Sequence, residues 1–145
     1  MTMLIEPVTP VLGARVSGFS LADATDDDVV AIRAAINEHK VLFFADQSLS
    51  PADHLAFARR MGDIDVAAFG PKHADHPEMT VLDQTEPKGQ GADAWHTDNT
   101  YVACPPSYTI LQSALLPPLG GDTCFADMYA AWDALSPAMQ GLLSG

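Results

Sequence analysis

His96 and Asp98 stand two residues apart in Trp95-His96-Thr97-Asp98. In an extended segment alternate side chains point to the same face, so an imidazole and a carboxylate at this spacing converge on one ion. Two such donors are two-thirds of a facial triad. That site type leaves positions open on non-haem Fe(II) for a co-substrate and O2. Spacing alone is weak evidence, because a surface His near an Asp often arises by chance. The neighbourhood adds to it. Trp95 offers an apolar wall, Asp93 and Asn99 flank the element, and the Gly-rich stretch from Glu86 to Ala94 lets a loop fold over it. Gly120-Gly121-Asp122-Thr123 follows at an expected strand start. No His, Lys or Arg comes after His96, so the rest of the chain after it offers no second imidazole as third ligand.

The elements that must position these residues read as helices first, strands around the motif, then helices, an α+β pattern. Pro7 to Ser17 reads as an irregular or short-strand entry, with Gly13 and Gly18 as breaks. Thr25 caps a helix whose first turn holds Asp26, Asp27 and Asp28, the charge that a helix N-terminus favours. That helix runs to about Lys40 with Val29, Ile32 and Ile36 on one face. Val41 to Phe44 is a short apolar run of β-rich type and is expected to be a buried strand. Ser50-Pro51-Ala52-Asp53 starts a second helix, with Leu55, Ala58 and Met61 on its buried side and Gly62 at its end.

Ile64 to Pro77 reads as a loop with a turn at Gly70-Pro71. Strands are expected over 79–83, over 107–116 up to Pro117-Pro118, and over 123–125 after the Gly120-Gly121 turn. Helices are expected over 127–135 and from Ser136-Pro137 to the end. The strands after Met79 are too few to close a barrel, and an open half-sheet leaves edge groups that favour association.

The 145 residues are enough for one modest domain, and 48% hydrophobic content argues against global disorder. Seven basic against 19 acidic residues give a net charge of −12. That balance argues against nucleic acid and anionic membrane, both of which need basic patches. Cys104 and Cys124 form no CxxC and are expected to be reduced thiols. Met1 to Leu12 lacks a basic region and a long apolar run, so the expectation is a soluble cytoplasmic protein with no signal peptide or membrane span.

Several segments together resemble one family. They are Trp95-His96-Thr97-Asp98, Pro105-Pro106, Gly120-Gly121-Asp122-Thr123 and Ala130-Ala131-Trp132-Asp133-Ala134-Leu135-Ser136. Upstream, Gly13-Ala14-Arg15-Val16, His39-Lys40-Val41-Leu42-Phe43-Phe44 and Leu55-Ala56-Phe57-Ala58-Arg59-Arg60-Met61-Gly62 agree. In order and over the whole length, they resemble the taurine dioxygenase/TfdA family of Fe(II)- and 2-oxoglutarate-dependent dioxygenases. The resemblance implies a double-stranded β-helix (a jelly roll of the clavaminate synthase-like kind) with N-terminal helices. It implies a single domain over 1–145, truncated at its C-terminus, with the C-terminal strands absent.

For the site, the resemblance implies His96 and Asp98 as iron ligands, Thr123 as hydroxyl donor to the far carboxylate of 2-oxoglutarate, and Asn99 facing the substrate. The activity implied is hydroxylation of a small anionic organic substrate with O2. Family members also supply a distal His and then an Arg that grips the co-substrate. Here the last cation is Lys88 and neither residue is present. A buried dicarboxylate without a cationic partner carries a large desolvation penalty. Taurine-specific members carry His and Tyr where this chain has Ala67 and Gly70, which argues against taurine, and an Asn where it has Ala92.

Two further functions compete with the enzyme. One is a catalytically incomplete remnant, an oligomerising or weak metal-binding module, expected to form a homo-oligomer or to join a complementary half. The other is a cupin-like metal protein, which needs His73 or His76 as third ligand.

Overall fold

The computed structural model describes residues 3–67, 70–83 and 94–145. The Gly-rich stretch before Ala94, with Lys88, Ala92 and Asp93, lies outside the described residues. The chain forms two compact units, one from 1–47 with 115–145 and one from 48–114.

The first unit is built on a three-stranded sheet of β1 (Leu4–Pro7), β2 (Ala14–Ser17) and β3 (Leu42–Phe44), in the order β1-β2-β3. β1 and β2 are antiparallel, with Ile5 opposite Val16. The turn between them is held by Thr9, whose Oγ1 accepts from Leu12 N at 2.9 Å and donates to Leu12 O at 2.6 Å. β2 and β3 are parallel, with Arg15 opposite Phe43. Parallel neighbours need a long crossover, and helix α1 (Asp26–His39) fills it. Alternation sorts β2: Ala14 and Val16 are buried, and Arg15 between them is exposed. Leu21, Val29, Ile32 and Ala35 complete the buried set of this unit.

Capping fixes where the helices start. Thr25 Oγ1 accepts from Asp28 N at 3.3 Å, and Asp28 Oδ2 accepts from Thr25 N at 2.8 Å. Ser50 and Asp53 repeat the arrangement at the start of α2 (Pro51–Met61), at 3.2 and 3.3 Å. Each box satisfies two backbone donors that a helix start leaves unpaired, with Asp in the place where Glu or Gln is usual. α3 (Met128–Asp133) starts at Asp127, whose Oδ1 accepts from Tyr129 N and Ala130 N at 2.9 and 3.2 Å. α4 (Pro137–Leu143) is capped by Ser136. In the first unit Phe125 meets Phe43 edge to face at 6.1 Å, and Lys40 Nζ lies 5.2 Å from the Tyr129 ring centre. No described helix is long and apolar enough to cross a membrane.

Several expectations change. The run Val41 to Phe44, expected to be a buried strand, forms β3, but Phe43 is exposed and its neighbours are half-buried. The strand expected over 79–83 reduces to one antiparallel bridge, Lys72 to Thr80. The segments 107–116 and 123–125 carry neither helix nor strand. A strand exists only as one side of a hydrogen-bonded ladder, and among the described residues these segments have no ladder partner. On α2 the buried stripe is His54, Leu55, Phe57 and Met61, so Phe57 takes the place expected for Ala58. His54, a polar residue, is buried on this face of the helix.

Gly13 has φ +85°, and a Cβ there would lie 3.1 Å from Phe43 Cε2. The left-handed conformation and the tight ring both act against a side chain. Gly13→Ala should lower unfolding free energy by about 1–3 kcal/mol in urea titration. Nothing lies within 4 Å of a Cβ built at Gly62, so Gly62→Ala should stay within about 0.5 kcal/mol of the parent. The same experiment on Ser50→Ala should show a loss of about 1 kcal/mol.

Candidate metal centre

The second unit carries the His-x-Asp element on an irregular segment entered at Ala94. His96 Nδ1 lies 2.9 Å from Ala94 O. A carbonyl oxygen only accepts, so this contact places a proton on Nδ1 and leaves Nε2 to face outward. Nε2 lies 3.3 Å from Asp98 Oδ1. An imidazole lone pair and a carboxylate at that spacing repel unless a positive charge, a proton or a metal ion, lies between them. Two donors each about 2.1 Å from one metal and at right angles are about 3.0 Å apart. The observed spacing fits a metal with little adjustment. The residues present therefore fit a metal through two donors, oriented as a ligating His usually is, with its other ring nitrogen tied to a carbonyl.

The turn that follows sets the carboxylate. Asn99 has φ +51°, in the left-handed region that Asn tolerates better than most residues. Val102 N donates to Asn99 O at 3.1 Å and closes the turn. Asn99 Nδ2 donates to Asp65 Oδ2 at 3.2 Å, and Tyr101 Oη donates to Asn99 Oδ1 at 3.4 Å. The second oxygen of Asp98, Oδ2, accepts from Thr109 Oγ1 at 3.0 Å. Gln112 Nε2 donates to Leu49 O at 3.1 Å and fixes the same segment beside the start of α2. Arg59 on α2 pairs with Glu78 at 2.7 Å, which ties the 70–80 loop to that helix.

His96, Asp98 and Asn99 are thus brought together, and both candidate donors are about half exposed. Thr123 belongs to the first unit. It follows Gly120 and Gly121, at φ +73° and +75°, where a Cβ on Gly121 would lie 3.0 Å from Pro117 Cγ. Trp95, expected as an apolar wall, is 73% exposed. Among the described residues no third His, Cys, Asp or Glu joins the pair. His73 and His76 face each other instead, with ring centres 5.2 Å apart, and His73 Nδ1 accepts from Asp75 N. Asp65 and Thr109 went unmarked in the sequence. Each is polar within an apolar neighbourhood, but only the fold reveals its partner.

The family model for the taurine catabolism dioxygenase TauD, TfdA family matches residues 4–145. An (S)-phenoxypropionate/alpha-ketoglutarate dioxygenase of Delftia acidovorans is 35% identical over 98% of this chain and 52% of its own length. An alpha-ketoglutarate-dependent sulfate ester dioxygenase of Pseudomonas putida is 35% identical over 95% of this chain and 46% of its own. The crystal structure of a taurine dioxygenase from Burkholderia xenovorans superposes with a TM-score of 0.86 at 29% identity, over 99% of this chain and 52% of that one. The chain spans about half the length of the curated relatives it matches. Dioxygenases of this family use Fe(II) with 2-oxoglutarate (alpha-ketoglutarate) as co-substrate. Matched from residue 4 to residue 145, the chain belongs to the taurine catabolism dioxygenase TauD, TfdA family.

Proposed function

We propose that this chain carries the metal-binding part of an Fe(II)- and 2-oxoglutarate-dependent dioxygenase that hydroxylates a small anionic organic substrate other than taurine. The observation that carries the reading is the pairing of His96 Nε2 and Asp98 Oδ1 at 3.3 Å, with Nδ1 of the same ring tied to Ala94 O. His96 and Asp98 would hold the metal, with the imidazole neutral and the carboxylate ionised. Fe(II) with 2-oxoglutarate, when bound, supplies the oxidising power drawn from O2 that hydroxylates a C–H bond, 2-oxoglutarate leaving as succinate and CO2. Thr123 would donate its hydroxyl to the far carboxylate of 2-oxoglutarate. Asn99, whose side chain Asp65 and Tyr101 hold in place, would face the substrate.

The relatives' names include phenoxypropionate and sulfate esters, both anionic, which supports that substrate class. Ala67 and Gly70 offer no side-chain donor where taurine-specific members carry His and Tyr. In this reading residues 1–145 form the first part of one jelly-roll domain, and 107–116 and 123–125 become strands once partnered. The third metal donor and the cation for 2-oxoglutarate come from outside these residues, as further polypeptide or another subunit. Cys104 and Cys124, free and exposed, fit a reducing compartment such as the cytoplasm.

The test is succinate release from 2-oxoglutarate with Fe(II), O2 and a panel of aryloxyalkanoates, sulfate esters and taurine. This chain alone should release none above the His96→Ala control. Fused to the C-terminal half of the Delftia relative, it should turn over one of the first two classes and ignore taurine. Full turnover by the chain alone would contradict the division of ligands. A folded fusion that stays inactive would contradict the function.

A second reading is an oligomerising module. It is favoured by large apolar side chains standing in solvent, among them Tyr101, Leu115, Leu119 and Leu142 at 73–89% exposure. Large apolar side chains left in solvent in such number are the raw material of interaction sites. Sedimentation velocity should then show a dimer or larger species at micromolar concentration, and a strictly monomeric particle would remove the reading.

A further inference from the structure

We infer that Thr109 is a positioning residue for the candidate metal centre: its hydroxyl holds Asp98 so that the carboxylate offers the metal one oxygen only. The inference rests on the reading of His96 and Asp98 as metal donors. The terminal torsion of an Asp side chain is broad and roughly two-fold, so a half-exposed carboxylate turns easily and can present either oxygen or both. Thr109 Oγ1 donates to Oδ2 at 3.0 Å and so occupies the other oxygen of the carboxylate from the one paired with His96. Oδ1 is left 3.3 Å from His96 Nε2. A single oxygen beside a single nitrogen leaves the other positions of a six-coordinate metal open for a chelating co-substrate and O2. A carboxylate bound through both oxygens would fill one of them.

Thr109 is itself anchored. Three residues on, Gln112 Nε2 donates to Leu49 O at 3.1 Å, next to the Ser50 cap of α2. On the other side of Asp98, Asn99 is tied to Asp65 at 3.2 Å. The carboxylate is therefore held from both chain directions, and Thr109 is the contact that reaches its oxygen. Partners behind a ligating carboxylate typically matter by 10–100-fold in metal affinity.

The experiment measures Mn(II) binding to the 145-residue chain by the loss of the free-ion electron paramagnetic resonance signal. The Co(II) visible spectrum reports coordination. Thr109→Val keeps the shape and removes the donor, Thr109→Ala removes it with less bulk, and Thr109→Ser keeps it. Both donorless variants should weaken Mn(II) binding about 10-fold or more and alter the Co(II) band, while Thr109→Ser should match the parent. In a His96→Ala background, Thr109→Val should add nothing further. Parent-like affinity in either folded donorless variant, or a Thr109→Ser loss as large as that of Thr109→Val, would overturn the assignment. Binding that is absent from the parent, or unchanged in His96→Ala, would instead overturn the metal-site reading and this inference with it.

Discussion

An imidazole nitrogen and a carboxylate oxygen held 3.3 Å apart impose a requirement on everything around them. With the ring proton committed to Ala94 O, the two groups present electron pairs to each other, and only a positive charge between them makes the arrangement favourable. A proton satisfies it at a slightly long hydrogen-bond distance. A divalent ion satisfies it at ordinary ligand distances. The surrounding polar contacts make sense as the means of keeping the pair aimed. They run from Asp65 to Asn99, from Thr109 to Asp98, and from Gln112 back to the start of α2. None is a strong interaction by itself, since exposed hydrogen bonds contribute little to stability. Their effect is on direction, which matters most where two donors must share one ion.

The rest of the chain is organised by constraints of a more local kind. Two capping boxes start α1 and α2, and alternation along β2 separates Ala14 and Val16 from Arg15. The parallel pairing of β2 with β3 is possible because α1 spans the connection. Gln47 completes the first unit, accepting from Leu21 N and donating to Phe19 O, so the loop before α1 keeps its backbone groups paired. By contrast, the residues from Trp95 to Leu143 keep many large apolar groups in solvent.

What the sequence made legible follows this division. Helix starts are written in adjacent residues, so Thr25, Ser50, Asp127 and Ser136 mark them directly. The family motifs are equally local, and the match from residue 4 to residue 145 agrees with them. Ladders are not local. The order β1-β2-β3 could not be read from three short segments, and the β-like runs 107–116 and 123–125, whose periodicity is local, find no ladder partner among the described residues. The same holds at the candidate centre. His96 and Asp98 are legible from their spacing, while Asp65 and Thr109 act across gaps of 34 and 11 residues that only the fold closes. Phe57 replaced Ala58 in the buried stripe because burial follows the larger apolar side chain when two neighbours compete for one helix face.

The central claim is that His96 and Asp98 form one metal site able to accept a chelating co-substrate. The most direct measurement is an anaerobic Fe(II) titration of the chain fused to the C-terminal half of the Delftia relative, with and without 2-oxoglutarate, followed by visible absorption. The account predicts a charge-transfer band that needs both components, saturates at one iron per chain and disappears in His96→Ala. A band that survives His96→Ala, or saturating 2-oxoglutarate with no band at all, would contradict it.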